Sequence, residues 1–260
     1  CGQTDRRGRL TLDFSQARNA DLLVKVGQRD NSSSDAFSLR VVAPDVEQSS
    51  MGHAITSSRP LSYRATNLKG LEAYRVNGTP ADCVALGSYH WEKVDVVLSG
   101  VNLGLNLGNS IWHSGTLAAA KQAALLGTRG IALSASTGGD EPDFARLEPF
   151  VTQVLSVLIP EQALQLVNVN FPQAPTGLQW TRQSVRHYDG RVVPDEDPMG
   201  RKLYWISIRP VEEVEEGTDL WAIRNNLVAL TPLRLDLTDH DALTQVSARL
   251  AVPQAEDAPR

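Results

Sequence analysis

Val94–Gly127 reads "VDVVLSGVNLGLNLGNSIWHSGTLAAAKQAALLG". Its first part is an apolar, β-branched run, the pattern of a strand buried on both faces. Its last part is rich in Ala and closes at Gly127, the pattern of a helix with a glycine C-cap. Between them lies a loop dense in Gly and Asn, with His113 next to Ser114 just before the helix. A strand that feeds a helix through a Gly-rich loop decides the fold class, because the same grammar recurs on either side of it.

Upstream, "LRVVAPD" (Leu39–Asp45) is another β-branched run, stopped by Pro44. "AYRVNGTPADCVALGSY" holds a short strand, an N-G-T-P turn and a helix beginning near Pro80, with Thr79 as its N-cap. Downstream, "RGIALSAS" is a strand, and Glu148–Ile159 is an amphipathic helix with Phe150, Val151, Val154, Leu155 and Leu158 on one face. "LQLVNVNFP" is a further strand, and "LVALTPL" a late one. Strands alternating with helices mean a parallel sheet covered by helices. In such sheets ligands bind beyond the carboxyl ends of the strands. From about residue 176 the texture changes: "LQWTRQSVRHYDG" and "KLYWISIRP" alternate, as in an antiparallel hairpin, around the turn "DEDPMG". The final residues, 241–260, are expected to form a frayed tail.

The chain has 260 residues, 42% of them hydrophobic, which is ample for one large core. A net charge of −5 gives no basic footprint and argues against nucleic-acid binding. No apolar run approaches the roughly 20 residues of a membrane span. No charged segment leads into an apolar signal core. Two cysteines, Cys1 and Cys83, make neither a disulfide framework nor a metal knuckle, so a reducing, cytoplasmic setting is expected. A leading Cys fits a processed lipoprotein or, the expectation preferred here, a fragment.

Four segments carry groups able to do chemistry. At the start of the 116–126 helix, unsatisfied N–H groups and the positive end of the helix dipole make Ser114, Gly115 and Thr116 an anion cradle, for which phosphate is the usual occupant. Asn102 and Asn106 offer oxygen to a hard cation or N–H to an oxyanion. His113 is placed to act as a general acid. The plainer reading, of equal weight on pattern alone, is a Gly-rich turn whose Asn and Ser only cap the helix. In "VVAPDVEQSSMGHAIT", Asp45, Glu47, Ser49 and Ser50 follow a strand. There Ser49 is a candidate metal or phosphate ligand, unless these residues only satisfy loop backbone. "VNGTPADCV" is explained by capping. In "EGTDLWAI", Thr218 and Asp219 read as surface loop rather than as a site or subunit contact.

Taken in order, "VVAPDVEQSSMGHAIT", "VNGTPADCV", "VDVVLSGVNLGLNLG", "HSGTLAAA", "NVNFP", "TRQ…HYDG", "EGTD" and "LTPLRLDLTD" resemble the SurE family, the stationary-phase survival proteins that are metal-dependent 5'-nucleotidases. The resemblance covers about residues 39–240. It implies a Rossmann-like α/β three-layer sandwich with a mostly parallel sheet. To this it adds a projecting β-hairpin, about 178–210, and a C-terminal segment that help build homodimers or homotetramers. It implies hydrolysis of nucleoside 5'-monophosphates with a divalent cation, Mn²⁺ or Mg²⁺. Carried over, Ser49 and Asn102 match metal ligands, and Asn106, Ser114, Gly115 and Thr116 match the phosphate side. His113 and Ser114 are the catalytic pair.

The family opens with a strand running into N-D-D-G, whose aspartates are the main metal ligands. This chain has no Asp-Asp pair. Asp30 lies too close to Val41 for a crossover, which takes a dozen residues or more. Asp13 has the room but lacks a second carboxylate. Residues 1–38 therefore read as an atypical segment, replaced through a shifted frame, a wrong start or a fusion, with the first strand lost from the sheet centre. Two alternatives to a working nucleotidase follow. One is a catalytically impaired member that keeps fold and oligomer and at most binds nucleotide or phosphate. The other is a nucleotide-binding transferase using the same anion loop.

Overall fold

A computed structural model describes residues 3–4, 10–11, 23–26, 39–68, 71–138, 142–185, 188–210 and 213–247. In chain order the elements are β1 (Gln3–Thr4), β2 (Leu10–Thr11), β3 (Leu23–Val26), β4 (Leu39–Pro44), β5 (Tyr63–Leu68), β6 (Leu71–Val76), α1 (Pro80–His90), β7 (Val96–Leu103), α2 (Gly115–Leu125), β8 (Arg129–Ala135), α3 (Phe144–Leu158), β9 (Leu166–Phe171), β10 (Gly177–Trp180), β11 (Tyr188–Glu196), β12 (Lys202–Pro210), α4 (Asp219–Arg224), β13 (Leu227–Pro232) and α5 (His240–Ser247).

A mixed nine-stranded sheet of order β10-β13-β9-β8-β7-β3-β4-β6-β5 forms the middle layer. The β7–β8 and β8–β9 pairs are parallel and joined through α2 and α3, and the β4–β6 pair is parallel with β5 between its members in the chain. Side chains alternate across the sheet, as the two-residue strand period demands. Leu98, Ile131, Leu133, Val167 and Val169 bury against the Leu147, Val151, Val154 and Leu158 stripe of α3. On the other face Val42, Val76 and Val97 meet Cys83 and Val84 of α1 and Ala119 and Ala123 of α2. The three-layer α/β sandwich expected from the sequence is thus present.

α2 lies close against the sheet. Four of its buried side chains are alanines, beside Thr116 and Leu117, and opposite it β8 carries Gly130, where a Cβ would stand 2.1 Å from the Ala120 carbonyl oxygen. Sequence therefore sets how far α2, and the loop before it, can descend onto the strands.

α1 begins as expected. The Thr79 hydroxyl accepts from the Asp82 N–H at 3.1 Å, and Asp82 Oδ2 accepts from the Thr79 N–H at 2.9 Å, closing a capping box. α3 starts earlier than Glu148, at Phe144, because Asp143 caps it and Pro149 is carried inside.

Several expectations change. β3 occupies the sheet centre, antiparallel to both β4 and β7, so that slot is filled rather than lost. Asp13 and Asp30 lie outside the described residues. The antiparallel hairpin pairs Tyr188–Glu196 with Lys202–Pro210. "GLQW", read above as its beginning, instead forms the edge strand β10, parallel to β13, because Leu178 packs against the α3-side core. The tail is helical as far as Ser247: Asp239 Oδ1 accepts from the Ala242 N–H at 2.8 Å and starts α5. No helix among the described residues is long and apolar enough to cross a membrane.

Candidate active site

The loop that leaves β7 is held from below by buried carboxamides. The Asn106 N–H donates to Asn170 Oδ1 at 2.8 Å, and its carbonyl oxygen accepts from Asn168 Nδ2 at 2.8 Å and Asn170 Nδ2 at 3.0 Å. Asn106 Nδ2 donates to Ser134 Oγ at 2.8 Å. This loop needs polar neighbours because its backbone runs buried with no strand beside it to pair with. Asn168 and Asn170 point inward from β9 for that purpose. Within β7, where the register with β8 shifts between Ser99 and Asn102, Gly100 adopts φ +116°, and a Cβ there would stand 2.1 Å from the Leu133 carbonyl oxygen. Asn102 Nδ2 donates to the Gly104 carbonyl at 2.8 Å, and the Gly104 N–H donates to Ala135 at 2.9 Å.

Past Asn106 a 3-10 turn, Gly108–Trp112, delivers His113 and Ser114. Ser114 is the N-cap of α2: its hydroxyl accepts from the Leu117 N–H at 3.1 Å. This helix start lies beyond the carboxyl end of β7, where Ser114, Gly115 and Thr116 line the cleft. Lys121, one face further along α2, lies 4.9 Å over the Trp112 ring, and burial holds its ammonium below the usual lysine range.

The loop after β4 closes the other side. Its Gly52 N–H donates to the His113 carbonyl at 3.0 Å, and His53 Nε2 pairs with Gln122 Oε1 at 2.9 Å. These contacts bring Ser49 across from Asn102. Ser49 Oγ donates to Glu47 Oε1 at 2.7 Å.

The result is one open cleft of about 700 Å³. Ser49, Ser50, Asn102, Asn106, His113, Ser114, Gly115 and Thr116 all line it, whereas Asp45, Glu47, Thr218 and Asp219 are not among its lining residues. Of the two readings of the Gly-rich loop, capping is real at Ser114, and it coexists with the cleft. Sequence reasoning did not place Leu103, Ser110, Gly190 or Ile206 in the wall. The last two come from the hairpin, and no local pattern announces that its root swings β11 and β12 over the helix terminus.

The family model for "Survival protein SurE" matches residues 20–190. The chain belongs to the SurE family. A protein named 5'-nucleotidase SurE 1, from Thermus thermophilus, is 46% identical over 217 residues, covering 81% of this chain and 86% of that one. The 5'-nucleotidase SurE of Geobacter metallireducens is 40% identical over 214 residues, 78% of this chain and 83% of that one. The crystal structure of the SurE protein from Aquifex aeolicus superposes with a TM-score of 0.68 at 37% identity, covering 80% of this chain and 87% of that one.

SurE membership implies a divalent cation, so the donor set matters. In the cleft the candidate ligands are neutral: the Ser49 hydroxyl and the Asn102 carboxamide. Glu47 stands one hydrogen bond behind Ser49. No group of three or more His, Cys, Asp or Glu is placed to hold a metal among the described residues. Hard divalent ions want charged oxygen. The described donors by themselves do not fit a tightly held ion.

Proposed function

We propose that this SurE protein hydrolyses nucleoside 5'-monophosphates to nucleoside and inorganic phosphate. The observation that carries the reading is the cleft whose floor is the N-terminus of α2, in a chain whose relatives are named 5'-nucleotidases. The phosphate sits on the N–H groups of Gly115 and Thr116, with the Ser114 hydroxyl and the second amide hydrogen of Asn106 as further donors. The helix dipole and these preorganised donors stabilise charge on the phosphoryl oxygens. His113 donates the proton that the departing ribose 5'-oxygen needs, while water adds to phosphorus from the opposite side. Ser49, from the loop after β4, and Asn102, from the end of β7, face the same phosphate.

A second reading is favoured by the donor set. The chain keeps the fold and the phosphate seat but turns over slowly, because among the described residues Glu47 is the single carboxylate beside Ser49 and no group of three or more His, Cys, Asp or Glu is placed to hold a metal. The assay is phosphate release from a panel of 5'-nucleoside monophosphates, with Mn²⁺, with Mg²⁺ and with EDTA. Turnover that EDTA removes, and that Ser49→Ala or Asn102→Ala abolishes, supports the working enzyme and its cation. A folded chain that binds phosphate without turnover supports the second reading.

The hairpin and α5 carry exposed apolar side chains, among them Tyr204, Trp205, Leu243 and Val246. These support a homodimer or homotetramer, which sedimentation velocity would read directly. A cytoplasmic setting completes the proposal, in keeping with the fully buried position of Cys83.

A further inference from the structure

Asp219 was expected in a surface loop, yet it is 0% exposed. Thr218 caps α4, and Asp219, its first residue, turns inward. Its Oδ2 accepts from the Gly108 N–H at 2.8 Å, and its Oδ1 accepts from the N–H groups of Ser184 at 3.0 Å and Leu220 at 2.8 Å. A buried carboxylate is costly unless its oxygens are hydrogen-bonded, and here three separate backbone segments supply the donors. Gly108 is gripped on its other side too: Gln183 Nε2 donates to its carbonyl oxygen at 3.1 Å. The Arg182 and Asp219 backbones are themselves tied, Asp219 N–H to Arg182 carbonyl at 3.0 Å.

The position of this junction matters. Gly108 opens the 3-10 turn that ends in His113 and Ser114. Ser184 lies at the root of the hairpin whose Gly190 and Ile206 wall the cleft. One side chain, far from the cleft in sequence, thus joins the turn that presents the phosphate donors to the base of the element that covers them.

We propose that Asp219, assisted by Gln183, is a positioning residue for the phosphate-binding turn: it sets where Gly108 stands, and through the 3-10 turn where His113 and the start of α2 meet the ligand. The proposal rests on the reading of that cleft as a phosphate seat. Asn at 219 keeps the shape but puts an amide N–H₂ against a backbone N–H, so one of the anchored segments must move. Ala at 183 releases only the Gly108 carbonyl.

The test is calorimetric titration of the folded chain with inorganic phosphate, with KM and kcat for AMP measured in parallel. In Asp219→Asn the dissociation constant for phosphate and the KM should rise about tenfold or more, the size expected when donors are displaced by a fraction of an ångström. In Gln183→Ala they should rise by a smaller factor, with cooperative melting retained. A purely structural role would reduce kcat in proportion to the folded fraction and leave KM and the phosphate constant unchanged, and that result overturns the proposal. If Asp219→Asn fails to fold, an unchanged phosphate constant in Gln183→Ala overturns it alone. Wild-type chain that binds phosphate without hydrolysing AMP defeats the hydrolytic reading but still tests the positioning role. Wild-type chain that binds no phosphate defeats both.

Discussion

Asn106 and Asn170 hold each other at both ends. The Asn106 N–H donates to Asn170 Oδ1 at 2.8 Å, and Asn170 Nδ2 returns a hydrogen bond to the Asn106 carbonyl at 3.0 Å. A side chain from β9 thereby does for the loop what a neighbouring strand does for a strand. Both residues are buried, so water cannot replace either bond.

Asn170→Ala should therefore be costly. Asn168 still serves the Asn106 carbonyl, but the Asn106 N–H is left buried without a partner. The expected loss is about 1–3 kcal/mol of stability. Urea unfolding would measure it, together with weaker phosphate binding. A variant as stable as wild type would mean that the loop finds another partner and that the pair is ornamental.

Ser114→Ala separates capping from ligand binding. The lost N-cap should cost about 1 kcal/mol. A hydroxyl that also touches phosphate adds a rise in KM that a cap alone does not predict. Ser114→Thr should keep the cap, and comparing stability with KM in both variants tells the two roles apart.

Gly130→Ala tests the close approach of α2. The added methyl meets the Ala120 carbonyl at 2.1 Å, and a helix backbone cannot yield as a side-chain tip can. Overpacking of this kind typically costs about 1–3 kcal/mol. Because the start of α2 lines the cleft, activity should fall along with the melting temperature. An unshifted melting curve would show that α2 is free to ride outward.

The pH dependence of stability should show Asp82. Burial pushes its carboxyl up, but hydrogen bonds from Thr56 and Thr79 outweigh burial and hold it below the usual range. A carboxylate whose folded pKa is depressed contributes stability above the unfolded value of about 3.9. That contribution fades as pH falls through the folded pKa. The stability gap between wild type and Asp82→Asn should thus be full near pH 6 and shrink below about pH 4. A gap that does not change with pH would mean the charge plays no part in the capping box.

Much of the site was legible in the chain itself. Ser114, Gly115 and Thr116 announce a helix start after a strand, and a strand's carboxyl end is where α/β proteins keep their ligands. Asn102 and Ser49 follow strand runs that end at the same edge, so their convergence follows from topology. Thr79 with Pro80 behind it announces the N-cap of α1, and the structure adds Asp82 as the other half of a capping box. Asp219 was not legible: "EGTD" is polar and acidic, and a polar segment looks the same whether water or three backbone N–H groups satisfy it. "GLQW" misled for the opposite reason, since an alternating edge strand and a hairpin strand share one period.

What the sequence determined alone is local: where strands stop, where helices start, which faces are apolar, and hence an α/β layering with a Gly-rich loop at one edge. Those features depend on neighbours a few residues apart. Tertiary structure decided the rest: that β3 runs antiparallel at the sheet centre, that Asn168 and Asn170 carry the site loop, that the hairpin walls the cleft, and that Asp219 fastens its root to Gly108. Each of these satisfies a buried polar group or an apolar face with a partner distant in the chain, and composition records the need for such a partner but not its address.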